Sequence, residues 1–214
     1  MLQLVMAGGW AVWPILLCSA WVLAVAIERA WALRRQAVMP PGLADEVARW
    51  IQSGIVDPAH LQSLAAASPL GQLLASALEA RDRPREQIKE RLEDTGRHVV
   101  FRLERHLSGL GTIALIAPLL GLLGTVIGLV RMFMTVMGAG IGDPGQMAGG
   151  IGEALICTAG GLVVAIPAYV LHRWYRARID GYVVEMEQQA ARVLDLVTAA
   201  AARRARPRSA ASAP

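Results

Sequence analysis

Charge is missing from long stretches of this sequence, and where it is missing decides most of the reading. No charged residue lies between Leu4 and Ile27 or between Leu107 and Val130, and Pro144 to Leu171 holds a single one, Glu153. About 20 consecutive apolar residues suffice for a helix to cross the hydrocarbon of a bilayer. With 55% hydrophobic and only 18% charged residues, a core built for water is disfavoured. We expect an all-α integral membrane protein with three transmembrane helices. Catalytic constellations are missing too. There is no phosphate-cradling glycine loop followed by lysine and no pair of metal ligands, and His60, His98, His106 and His172 are scattered. Neither an enzyme nor a cofactor is expected. Cysteine is scarce: Cys18 and Cys157 both fall inside apolar runs, where a thiol acts as a small apolar side chain and neither disulfide nor metal spacing is met.

Basic residues are distributed just as unevenly. None occurs in residues 1–28 or 132–172, whereas residues 29–106 hold twelve and residues 173–208 hold eight, leaving only Arg131 within a span. The net charge of +4 therefore marks span ends and gives no reason to expect nucleic acid. Lys and Arg near span ends stay in the cytoplasm, so the N-terminus is expected outside and the C-terminus inside. No basic n-region precedes the first run, and Glu28 and Arg29 follow it directly, which reads as an uncleaved anchor with those two residues at the inner interface. Trp10, Trp13 and Trp31 sit at its two ends, where an aromatic belt belongs.

Four regions follow: residues 1–32 with the first span; a cytoplasmic loop, 33–84; a channel region, 85–172, with an outer hairpin at 138–148; and a cytoplasmic helix with a basic tail, 173–214. Residues 138–152 contain seven glycines and Pro144, suited to a tight turn that sets spans two and three side by side. Gly124 with Gly128, and Gly161 with Ala165, are small-xxx-small pairs that allow close helix approach. Pro40-Pro41-Gly42, Pro58 and Pro69 punctuate the loop into short helices. Ile88, Leu92, Val99, Leu103, Leu107 and Leu110 recur at helical steps and predict one amphipathic helix running straight into span two. Ile179, Tyr182, Met186, Ala190, Val193 and Val197 continue the period past span three. These stripes bury either against each other or against neighbouring subunits. Arg203, Arg204, Arg206 and Arg208 in an Ala, Ser and Pro background read as a disordered tail near anionic lipid.

A carboxylate within a span costs about 2.5 kcal/mol or more, and such groups face a cavity, pair, or relay protons. Glu153 is that residue; it either sits at the outer interface or faces a pore. Thr125 and Thr158 can offer hydroxyls to a water chain, or bond their own helix carbonyls. On a helix Thr158 is turned about 140° from Glu153, while Cys157 shares its face. Arg131, near the outer end of span two, is either a pore charge or, the favoured reading, a side chain reaching to the headgroups.

The segments APLLGLLGTVIGLV (Ala117–Val130) and GGIGEALICTAGGLVVAIPAYV (Gly149–Val170) resemble the signature of the MotA/TolQ/ExbB proton-channel family. The start GGWAVWPILLCSAWVLAVAIERAWAL (Gly8–Leu33) is similar to the first span of short ExbB-type members, and residues 40–80 and the tail add nothing to the likeness. The resemblance implies a homopentamer whose second and third spans enclose a pore. That pore would hold the single spans of an ExbD- or TolR-like partner, each with an aspartate. Proton flow would drive a TonB- or TolA-like transducer from the bacterial inner membrane. It also implies that Glu153 is the pore glutamate, with Thr158 and Thr125 as the family's threonines on spans three and two. Cys157, before Thr158, departs mildly from the pattern. An ExbB-type energy transducer is expected, with a TolQ-type subunit or a non-conducting scaffold as the alternatives.

Overall fold

The computed structural model describes residues 12–54, 57–139 and 144–205. Among them there is no strand, and the chain divides into two compact units: residues 1–30 with 106–176, and residues 31–105 with 177–214. The helices of the described residues are α1 (Val12–Ala32), α2 (Arg35–Val38), α3 (Leu43–Ser53), α4 (Pro58–Ala67), α5 (Pro69–Glu79), α6 (Arg85–Leu103), α7 (Leu107–Ala139) and α8 (Pro144–Ala205). Three of them, α1, α7 and α8, are long and apolar enough to cross a membrane. Trp10 and the N-terminus, residues 140–143 of the expected outer hairpin, and Arg206 and Arg208 of the tail lie outside the described residues.

The first unit is a packing of α1, α7 and the first part of α8. Glycine sets its spacing: a β-carbon at Gly109 would overlap the Trp21 indole, and one at Gly111 would lie 3.3 Å from the His172 ring. Ile15, Val22 and Val25 of α1 are buried, as are Leu110 and Ala117 of α7 and Ala154, Cys157, Val164 and Ala168 of α8. Apolar side chains turned outward, such as Leu115, Met137 and Val163, match a lipid or subunit environment rather than water. At one end of this unit polar groups close on one another. The Tyr175 hydroxyl donates to the Ala26 carbonyl at 2.6 Å, His172 Nδ1 lies 2.9 Å from the Leu107 carbonyl, and His106 Nδ1 lies 3.1 Å from Glu28 Oε2. Arg29 is buried and donates to Glu28 at 2.6 Å.

The second unit is built around α5, in which every residue from Leu70 to Leu78 except Gln72 is buried. Its start is fixed by Pro69 in the first helical turn and by the Ser68 hydroxyl, which accepts from the Gly71 amide at 3.0 Å. Gly71 is required there, because a β-carbon would meet the Leu64 carbonyl oxygen of α4. Asp57 and Pro58 start α4 in the same way. Ile88, Leu92, Val99 and Leu103 of α6, and Ile179, Tyr182, Met186, Ala190, Val193 and Val197 of α8, are all buried within this unit. The ion pairs Arg35–Glu185, Arg85–Asp195 and Arg192–Asp45 lie on its exposed surface, where each contributes little.

One sequence expectation fails here. The amphipathic helix does not run on into span two: α6 ends at Leu103, residues 104–106 turn, and His106 takes φ 64 before α7 begins. The apolar period continues across the break because Leu103, Leu107 and Leu110 each bury, so periodicity alone could not reveal it.

Tyr182 ties α8 to the segment after α1. Its hydroxyl donates to the Leu33 carbonyl at 2.9 Å and accepts from Arg178 Nε at 3.0 Å. Because Leu33 is buried, Tyr182→Phe leaves a carbonyl without this partner and is expected to cost about 1–3 kcal/mol. The check is the thermal midpoint of the purified protein in detergent, which should fall; an unchanged midpoint contradicts this role.

Candidate functional site in spans two and three

Small residues bring α7 and α8 within backbone contact along a defined register. A β-carbon at Gly161 would lie 2.5 Å from the Ala117 carbonyl oxygen, and one at Gly121 would lie 2.9 Å from the Cys157 carbonyl oxygen and 3.1 Å from Thr158 Cα. Further along, one at Gly128 would lie 3.4 Å from Ala154 Cβ and from the Gly150 carbonyl oxygen, and one at Gly150 3.1 Å from Met132 Cβ. Lipid gives no hydrophobic drive for helix association, so such close approach is what holds the pair. Gly121 and Gly150 carry the crossing together with Gly128 and Gly161; the first two were not singled out from the sequence.

This register places the chemistry. Glu153 stands beside Ala154, at the Gly128 crossing, and its side chain is partly buried, 27% exposed. Thr125 lies between the Gly121 and Gly128 crossings, so its turn of α7 is level with the turn of α8 that carries Glu153 and Cys157. The Thr125 hydroxyl donates to the Leu122 carbonyl at 2.6 Å, which occupies its proton and leaves its oxygen free to accept. Thr158 sits one turn further along α8, with its backbone against Gly121. Glu153 and Thr125 are thus brought to one level, while Thr158 is not on the face of Glu153, as the helical phase requires.

Arg131 Nη1 lies 3.7 Å from Glu153 Oε1, a contact that neither sequence reading of Arg131 named. A signal for this was present: Arg131 follows Gly128 by three residues and so shares its face, which is the face packed against the turn of Glu153. The pair is monodentate and long, an electrostatic contact rather than a short hydrogen bond. Among the described residues no group of three or more His, Cys, Asp or Glu stands ready to hold a metal ion. The arrangement can hold a carboxylate within a span, balance its charge and expose it to water or a partner group.

Three helices long and apolar enough to cross a membrane mark a multi-pass membrane protein, in which Glu153 of α8 faces Arg131 of α7. Residues 65–188 match the model of the MotA/TolQ/ExbB proton channel family, and the chain belongs to that family. The match begins at residue 65 and so takes in the buried helix α5, which the sequence reading had left outside the likeness. The chain is 36% identical over 169 residues to a putative biopolymer transport protein, ExbB-like 1, from Synechocystis, covering 78% of this chain and 66% of the relative. It is 39% identical over 132 residues to the biopolymer transport protein ExbB of Pseudomonas putida, covering 56% of this chain and 38% of that one. Over 78 residues it is 41% identical to the Tol-Pal system protein TolQ of Haemophilus influenzae, covering 36% of this chain and 34% of the relative. The chain spans just under two thirds of the first of these relatives and a smaller part of the others.

Proposed function

We propose that the chain is the proton-channel subunit of an inner-membrane motor complex of ExbB type, coupling proton-motive force to biopolymer or nutrient transport at the outer membrane. The observation that carries this reading is Glu153, a titratable group held partly buried between two helices that pack through glycine. Glu153 takes up a proton from the outer side and releases it inward; Thr125, level with it, and Thr158, a turn away, bond the water that delivers it. Relatives named as biopolymer transport proteins support the ExbB assignment. The identity to a TolQ protein favours a second reading, a subunit for envelope integrity.

The working unit is a homo-oligomer, a pentamer on the family's pattern, with an ExbD- or TolR-like one-span partner in its pore and a TonB- or TolA-like transducer beyond. Outward apolar faces on the spans support an assembly, and so does a groove of about 1070 Å³ in the second unit, lined by Leu92, Val100, Phe101 and Met186. Native mass spectrometry of the detergent-extracted complex is expected to give several copies of this chain with a one-span partner bound. A monodisperse monomer that still supports transport contradicts the reading.

The basic clusters support a topology with the N-terminus and the residues between α7 and α8 outside the cytoplasm. In a background without Cys18 and Cys157, the thiol of Ala139→Cys should react with a membrane-impermeant maleimide added to spheroplasts. Reaction only in inverted vesicles would reverse the topology.

A further inference from the structure

We propose that His172 is the proton acceptor at the inner end of the path: its Nε2 takes the proton that has passed the level of Glu153 and releases it to the cytoplasm. The inference rests on the proton-path reading of Glu153 and adds a second titratable group to it. Both side chains belong to α8, nineteen residues apart, with no Asp, Glu or His between them. At 1.5 Å of rise per residue that separation is about 28 Å, close to the ~30 Å of bilayer hydrocarbon. Arg173 and Arg176 follow, so His172 stands at the end of the span read as cytoplasmic.

The ring is held in one state by its neighbours. His172 lies three turns after Gly161 on the same face of α8 and meets α7 in the same way: a β-carbon at Gly111 would lie 3.3 Å from its Cε1 and 3.4 Å from its Nε2. The glycine leaves open the side of the ring that a methyl group would cover. The other nitrogen is committed. Nδ1 lies 2.9 Å from the Leu107 carbonyl oxygen, which can only accept, so Nδ1 carries the hydrogen and the neutral ring keeps its lone pair on Nε2. A proton arriving on water bonds to that lone pair and gives an imidazolium with two N–H groups. The Nδ1–H bond to Leu107 persists, and loss of the Nε2 proton to cytoplasmic water restores the same tautomer. The other polar groups at this end have partners or lie beside the ring on α8. Glu28 takes Arg29 at 2.6 Å and His106 at 3.1 Å, the Tyr175 hydroxyl donates to Ala26, Arg173 and Arg176 adjoin His172 on α8, and the first turns of α7 carry no charge.

The test is proton entry into vesicles containing the chain with its one-span partner. Initial rates are taken from interiors set at values between about pH 5 and 8, the range in which imidazole changes charge, at one total driving force. The wild type should slow as the interior acidifies and holds the exit group protonated. His172→Asn offers an amide N–H to Leu107 in place of Nδ1–H but has nothing to titrate. It should assemble at unchanged complex mass, lose flux about tenfold or more, and lose the dependence on interior pH. His106→Asn keeps a donor toward Glu28 and suits the left-handed backbone at φ 64, so it should match the wild type in flux and profile. Wild-type flux and profile in His172→Asn, or the same loss in His106→Asn, overturns the proposal. If His172→Asn does not assemble, His172→Gln is read in its place, and failure of both marks the ring as structural and overturns it too. A wild type no faster than empty vesicles, or full flux through Glu153→Gln, would instead remove the reading of Glu153 beneath it.

Discussion

Gly161→Leu is expected to abolish the folded, extractable protein, because its β-carbon alone would stand 2.5 Å from the carbonyl oxygen of Ala117. The obstacle is backbone, not the end of a flexible side chain, so α7 and α8 would have to part at the point where they approach most closely. Overpacking of this kind costs about 1–3 kcal/mol when side chains can yield, and more when they cannot. Loss of the crossing would also release Gly121 from Thr158 and Gly128 from Ala154, since one register serves all three. Gly149→Ala is the matched control: nothing lies within 4 Å of a β-carbon there, and its effect should be negligible. Fluorescence-detected size exclusion after detergent extraction compares the two. Equal monodisperse peaks from Gly161→Leu and Gly149→Ala would show that the crossing does not hold the spans together.

Several parts of this fold were readable from residue pattern, and the failures have physical causes. The three spans follow from the length of the uncharged runs, and the buried stripes of α6 and α8 from helical period, since both signals report burial directly. The break at residues 104–106 was hidden because a left-handed His106 leaves the apolar period in phase on both sides. The central place of α5 was not read: Gln72, Ser76 and Glu79 fall at helical spacing like a solvated stripe, yet Ser76 is buried with its hydroxyl on the Leu73 carbonyl. At the site, Glu153 stands out in the sequence as the single charge between Pro144 and Leu171. The Arg131–Glu153 contact was not read because near a span end a long side chain can turn either to the headgroups or to a carboxylate, and only the register fixed by Gly128 and Gly150 brings the two together. Gly121 and Gly150 escaped notice because small-residue pairs are common in apolar helices, and the crossing selects among them.

Glu153→Gln should leave the complex assembled and stop the work it does. Gln keeps the size of the side chain and its capacity to hydrogen-bond, but it has no proton to give or take. Thr125→Ala should have a smaller effect, since its hydroxyl proton is already committed to Leu122 and water can replace its accepting oxygen in a wet pore. Thr158→Ala should likewise lose less than Glu153→Gln, because Thr158 does not share the face of Glu153. The most direct measurement is proton entry into vesicles containing this chain with its one-span partner, followed by an internal pH dye under a potassium diffusion potential. The wild type should acidify the interior, Thr125→Ala and Thr158→Ala should do so more slowly, and Glu153→Gln should fall to the leak of empty vesicles at unchanged complex mass. Wild-type flux through Glu153→Gln would contradict the account.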